Sequence, residues 1–393
     1  MSAARTEPPT DVLVVGGGIV GLTAAWRAAV AGMRVTVLDP DPTGGATHAA
    51  AGMLAPVSEA EHGELGLARV NLASAALWPS FAGTLRAASG VDLGFAATGT
   101  LTVGYDAADA ERCRDLLALQ RSWGLAAHEL SVADARDRVP LLGPHVSVAA
   151  WAPEECHVDP RAVARALRTV LAQDDRVRLV ASPAAALLRD GAGAVVGARG
   201  GDGVEHAAGL VVLAAGAESA RVARGAGVPV PVRAVRGTTL RLDARDAGWF
   251  AGLPVLRGTV QQRPVYVVPR PSGEVVVGAT SDERDPAPAT RAGDVFALLR
   301  DARALLPGLD ELPLLEATTR ARPATPDHLP LVGRTSVPGL VLATGHHRNG
   351  ILQTPLTAAA LDALYAGLEP PEAARACDPR RLSPIPARPG GPA

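Results

Sequence analysis

Three glycines at positions 16, 18 and 21 stand in the spacing G-x-G-x-x-G, and the chemistry that spacing serves is recognition of a diphosphate. Gly16 allows a tight turn, Gly18 lets a pyrophosphate approach the backbone, and Gly21 lets a helix pack closely on a strand. Ile19 and Val20 open that helix, whose N-terminus then faces phosphate charge. Asp39 follows Gly21 by 18 residues, ends the next apolar run, and can accept hydrogen bonds from a ribose 2′-OH. Its charge argues against a 2′-phosphate at that place. The same glycines would also suit plain packing, but their strand–turn–helix–strand context favours a dinucleotide. The spacing does not separate NAD from FAD.

Other residues invite chemistry less strongly. Asp327 and His328, in PDHLP, look like an acid–base pair and read better as a turn. Ser58, His48 and Asp39 could be assembled into a hydrolase triad, but no G-x-S-x-G elbow surrounds Ser58. His346 and His347 are adjacent, with no cysteine or carboxylate nearby in sequence to complete a site, so no metal is expected. The basic run Arg375–Arg381 reads as a solvated tail.

The elements that would position these residues follow from pattern. Val12–Val15 is a short apolar run bounded by glycines, which predicts a buried strand. Ile19 to Ala31 predicts a helix and Arg34–Leu38 a second strand, together a βαβ unit with a right-handed crossover. Residues 44–56 are rich in small side chains, so backbone there can lie against a ligand. Helices are predicted over 64–89, 107–123, 161–172 and 294–306, with 133–160 irregular. Gly209–Ala215 reads as a strand entering Gly216 and returning to the first sheet, as does Leu340–Thr344. Between them, Gly237–Leu242, Val265–Pro269 and Glu274–Gly278 suggest an antiparallel sheet. SDERDPAPAT (281–290) reads as a linker, and a glycine-started helix follows residue 345.

The fold class expected is therefore α/β: a Rossmann-like domain interrupted by a domain with a mostly antiparallel sheet. The first would take 11–85, 151–230 and 316–370, the second 86–150 and 231–315, with a flexible tail over 371–393. The 393 residues are 48% hydrophobic and 20% charged, with a formal net charge of -2. That balance supports a substantial core and argues against a dedicated nucleic-acid binder. Cys113, Cys156 and Cys377 are scattered and form no CxxC, which excludes a disulfide scaffold. No signal peptide or membrane span is read, and a cytoplasmic setting is the default.

Taken in order, six segments carry a resemblance: DVLVVGGGIVGLTAA at the start, ATHAAAGMLAP (46–56), APEECHVDP (152–160), VYVVPRPSGEVVVGAT (265–280), RARPATPDHLPLVG (320–333) and ATGHHRNGILQTP (343–355). The chain resembles the glycine oxidase (ThiO-type) branch of the D-amino-acid oxidase flavoproteins over about residues 11–369. The resemblance implies non-covalent FAD. Asp39 stands where these proteins usually place a Glu for the adenosine ribose. Thr47, His48, Ala50 and Gly52 match the segment passing the flavin and pyrophosphate, although His48 could be an ordinary turn residue. Gly345, His346, His347, Arg348, Asn349, Gly350, Ile351 and Leu352 match the loop beside the isoalloxazine, and Gly216 is a further cofactor contact. Arg322 matches an arginine that takes the substrate carboxylate in a bidentate contact, Tyr266 a tyrosine that adds a bond to it, Arg348 a neighbouring active-site arginine, and Met53 a residue over the active site. Gln353-Thr354 departs from a family pair that is commonly small-apolar or Leu-Ala. Pro264 stands where some relatives carry a polar residue.

The activity so implied is oxidation of glycine to glyoxylate, ammonia and hydrogen peroxide, by hydride transfer to flavin N5 with oxygen as the final acceptor. Its imine would feed thiamine thiazole synthesis, with a hand-off to a thiazole synthase. Self-association, as a homotetramer, is also implied. Rival readings are a flavin oxidase or dehydrogenase for sarcosine, small D-amino acids or proline-like secondary amines, and a non-catalytic nucleotide-binding interaction protein.

Overall fold

The computed structural model describes residues 6–283 and 287–382. Two eight-stranded sheets account for most of the strands. The first runs Leu331–Arg334, Leu340–Thr344, Glu205–Leu213, Thr6–Val15, Val35–Leu38, Val177–Val180, with Ala184–Arg189 and Val195–Gly200 attached beside Glu205–Leu213. Its central pairs are parallel, Val12–Val15 lying between Val35–Leu38 and Leu210–Leu213. Such a strand is buried on both faces, which is why its sequence is a continuous apolar run. Val12 and Val14 face a core shared with Leu22, Trp78, Val163, Leu167 and Leu361. Leu13 and Val15 face the opposite layer with Val195, Val222 and Leu342. The helix Ile19–Val30 is buried nearly all round because the helices Pro160–Ala172 and Thr354–Tyr365 pack over it.

The second sheet runs Leu314–Ala324, Arg233–Asp243, Glu274–Gly278, Arg263–Pro269, Val255–Val260, Thr100–Gly104, Val148–Ala152, His128–Leu130. All but one of its pairings are antiparallel. Successive side chains alternate between its faces. Leu240, Leu242, Val265, Val267, Val275 and Val277 pack under the helix Ala292–Leu305. The alternate set, which includes Val268, Val276 and Val255, packs with Ala51, Met53 and Tyr266. Residues 46–53 thus lie between the two sheets.

Several expectations need correction. The stretch 133–160 is not irregular: it contains the helix Val132–Arg138 and the strand Val148–Ala152. Divisions after 150 and after 315 fall inside strands, because Val148–Ala152 and Leu314–Ala324 pair within the second sheet. The last long helix starts at Thr354, with Pro355 in its first turn, and His347–Asn349 form only a short 3-10 turn. The tail is seated as far as Leu382: Cys377 is buried and Arg381 bonds Asp327 at 2.8 Å. The remainder of the tail, 383–393, and residues 284–286 of the linker lie outside the described residues.

Candidate active site

The parallel strands of the first sheet deliver their carboxyl ends to one edge, where ligands of such sheets bind. Val15 leads into Gly16, Leu38 into Asp39, Leu213 toward Gly216, and Thr344 into Gly345. Gly16 has φ +108°, and a Cβ there would stand 2.4 Å from the Ala214 carbonyl oxygen. A Cβ on Gly21 would stand 1.9 Å from the Gly16 carbonyl oxygen. Turn, helix and neighbouring strand therefore touch through glycine. Gly18 caps the helix Ile19–Val30 but has no side chain to do so; the Thr47 hydroxyl accepts from Ile19 N–H at 3.0 Å instead.

Asp39 accepts from Gly17 N–H at 2.5 Å and from Asp41 N–H at 3.0 Å. Burial raises its pKa, against those two bonds and the nearby Arg168. Each carboxylate oxygen keeps a second lone pair, so the group could still accept from a ribose. On the adjoining loop, Asn349 is 2% exposed and both atoms of its amide lack a partner, as do His347 Nδ1 and Gln353 Oε1. Buried polar atoms are rarely left unpaired, so an orphaned amide beside a glycine cradle fits a polar ligand such as FAD. His346 is different: its Nε2 lies 3.0 Å from Thr357 Oγ1, and burial lowers its pKa to about 3. It is a neutral core group. Ile351 and Leu352 are buried apolar residues, and the Leu352 carbonyl accepts from Ser74 and Trp78.

The segment 46–53 is held by its own carbonyls. The His48 carbonyl accepts from Arg161 Nε at 2.8 Å and Arg241 Nη2 at 3.3 Å, and the Ala49 carbonyl from Thr239 Oγ1 at 2.9 Å. Arg270, buried, donates to the carbonyls of Ala51 and Val158. Ala50 is tucked against the first core. Gly52 has φ +76°, with the Val158 oxygen 2.0 Å from where a Cβ would be. The His48 ring lies 3.6 Å from Glu316 rather than in the glycine cradle.

Sequence reasoning missed Thr239, Arg241, Arg270, Arg161 and Glu316. Thr239, Arg241 and Glu316 carried a signal, polar residues at one period of a strand, whereas Arg161, in the helix Pro160–Ala172, and Arg270, just past the strand Arg263–Pro269, carried none. Arg161 holds Glu316 by two bonds of 2.8 Å. These bonds, with Thr318, outweigh burial and hold the Glu316 pKa at about 2, below its ordinary 4.5. A lowered folded value means the pair stabilises fully above pH 4.5, and its contribution is lost as pH falls toward 2. Glu316→Gln should lower stability at neutral pH by about 1–2 kcal/mol, discounted for its partial exposure. Thermal melts of variant and parent should converge across that acid range; a constant gap would remove Glu316 from the pair.

Tyr266 and Arg322 lie on the face of the second sheet that meets residues 46–53. Tyr266 pairs with Gly278, and a Cβ on Gly278 would stand 2.3 Å from the tyrosine hydroxyl. Arg322 reaches across the next strand: a Cβ on Gly237 would stand 2.2 Å from its Nη1, which donates to the Thr280 carbonyl at 3.1 Å. Two glycines thus let a hydroxyl and a guanidinium lie along one sheet face. Met53 packs in the same cluster as Tyr266. Burial raises the Tyr266 pKa, so the hydroxyl keeps its proton.

Arg348 donates to Glu64 Oε2 at 2.6 Å, and its Nε is 4.0 Å from Glu59. His328 also contacts Glu64, at 2.6 Å, while Asp327 pairs with Arg381. Asp327 and His328 are therefore not bonded as a pair. Ser58 donates to the buried Glu155 at 2.7 Å, away from His48 and Asp39.

Residues 11–364 match the family described as DAO, FAD dependent oxidoreductase. The chain is 33% identical over 353 residues to the bifunctional protein ThiO/ThiG of Trichormus variabilis, covering 89% of this chain and 51% of that one. It therefore spans about half the length of that relative. It is 30% identical to the glycine oxidase of Geobacillus kaustophilus, covering 88% of this chain and 90% of that protein. The crystal structure of glycine oxidase from Geobacillus kaustophilus superposes with a TM-score of 0.82 at 28% identity, over 92% of this chain and 96% of that one. Among the described residues, no helix is long and apolar enough to cross a membrane. The glycine cradle at the carboxyl edge, the orphaned amide beside it and the match over most of the length agree: the chain belongs to the DAO family of FAD-dependent oxidoreductases.

Proposed function

We propose that the protein oxidises glycine to glyoxylate, ammonia and hydrogen peroxide. The observation that carries this reading is the pair on one sheet face, the Tyr266 hydroxyl over Gly278 and the Arg322 guanidinium over Gly237. A planar guanidinium with a hydroxyl near it suits an amino-acid carboxylate. Bound FAD supplies the acceptor for the hydride that leaves the substrate's α-carbon. Arg322 takes the carboxylate and Tyr266 donates a second bond, which fixes the α-carbon in place. Met53 and the apolar residues around Tyr266 exclude water. Gly16, Gly18 and Gly21, with Asp39, Gly216, Gly345 and Asn349, would hold FAD at the carboxyl edge.

The supporting likeness is to glycine oxidases at about 30% identity. Relatives named ThiO/ThiG support the further reading that the glycine imine passes to a thiazole synthase, and a homotetramer is part of the same proposal. An anaerobic absorbance spectrum tests the reaction. The flavin band should bleach on adding glycine and return, with peroxide, in air. Bleaching by sarcosine and not by glycine would move the substrate, and a persistent band with both would end the oxidase reading.

Tyr266→Phe should raise the KM for glycine about three- to tenfold, because one neutral hydrogen bond is lost. Steady-state oxygen uptake reads this, and an unchanged kcat/KM would take the hydroxyl out of the site.

A further inference from the structure

We infer that Glu59 limits the charge of the substrate: it occupies an arginine, Arg257, that would otherwise receive a second carboxylate. The inference rests on Arg322 and Tyr266 being the carboxylate site. Arg257 is directly opposite Tyr266 in the antiparallel pair Val255–Val260 with Arg263–Pro269. Directly opposed residues share one face of the sheet, so Arg257 stands beside Tyr266 on the site's face. Its Nη1 donates to Glu59 Oε1 at 2.6 Å, and the other oxygen of Glu59 lies 4.0 Å from Arg348 Nε. The Glu59 side chain is 12% exposed and that of Arg257 21%. Glu59 follows Met53 by six residues, and Met53 packs with Tyr266. The carboxylate is thus inside the wall of the proposed site, between two guanidinium groups.

Charge then decides what fits. Glu59 and Glu64 pair with Arg257 and Arg348, whereas Arg322, which donates to the Thr280 carbonyl, keeps its positive charge for one substrate carboxylate. An amino acid with a second carboxylate would meet Glu59, and like charges in a half-dry site repel. Without the charge of Glu59, Arg257 is a half-buried cation lacking its anion, and a second substrate carboxylate can replace it.

Titration calorimetry of the FAD-loaded protein with acetate, malonate and succinate tests this without turnover. The parent should bind neither dicarboxylate more tightly than acetate. Glu59→Gln should gain at least tenfold for one dicarboxylate relative to acetate, and Glu59→Gln with Arg257→Leu should lose that gain. The rate on D-aspartate relative to glycine should rise in parallel. A parent that already prefers a dicarboxylate tenfold, or a Glu59→Gln variant with the parent's ratio, overturns the inference. Flavin bleaching by glycine in the parent reports the oxidase reading separately, so a shifted binding ratio without bleaching upholds the charge limit and removes the reaction.

Discussion

Arg322→Ala raises the KM for glycine about 30- to 1000-fold while the purified protein stays yellow. The range corresponds to about 2–4 kcal/mol for truncating one partner of a desolvated charge pair. Flavin retention is expected because Arg322 is on the second sheet, whereas the glycine cradle is on the first. A milder substitution gives an independent check. A Cβ on Gly237 would stand 2.2 Å from Arg322 Nη1, so Gly237→Ala should displace the guanidinium and raise KM without removing any charge. Unchanged kinetics in Arg322→Ala would remove the residue from the carboxylate site. A normal KM in Gly237→Ala would show that the guanidinium acts from elsewhere.

Gly16→Val should yield protein without FAD. A valine at φ +108° is strained, and its Cβ would press on the Ala214 carbonyl from 2.4 Å. The turn that brings backbone amides to a pyrophosphate cannot then close. The flavin-to-protein absorbance ratio measures the loss, and circular dichroism shows whether the variant is folded. A folded variant with a full complement of FAD would end the phosphate-loop assignment.

The first βαβ unit was legible because its signals agree: a doubly buried apolar run, glycines at a fixed spacing, and an acidic residue at the next strand's end. The strands 237–242, 265–269 and 274–278 were legible from alternation. The long strand Leu314–Ala324 was not. On the face toward residues 46–53, Glu316, Thr318, Arg320 and Arg322 continue the polar set of Thr239 and Arg241 on the paired strand, while the alternate positions Leu315, Ala317, Thr319 and Ala321 form no continuous apolar set. That polar set looks toward residues 46–53 and the proposed carboxylate site, so no apolar alternation marks the strand where the chemistry would sit.

The carbonyl-bound segment was harder to foresee. Residues 46–53 carry little side chain of their own, and what fixes them is supplied by Arg161, Thr239, Arg241 and Arg270, as far as 219 positions away. No local pattern encodes such a contact. The Glu59–Arg257 pair was hidden for the same reason, because it joins a turn to a strand 198 positions later. Gly18 and Thr47 both stood out in the sequence, but not the bond by which Thr47 caps the helix that follows Gly18.

The carboxyl edge that gathers Gly16, Asp39, Gly216 and Gly345 draws on strands that end at Val15, Leu38, Leu213 and Thr344. Chains are made from the N-terminus at about 5–20 residues per second. A nascent chain therefore carries the diphosphate turn long before the ribosome has released the strand that completes the edge. Capture of FAD by the proposed cradle would come at the end of synthesis, and until then the sheet lacks the strands Leu331–Arg334 and Leu340–Thr344.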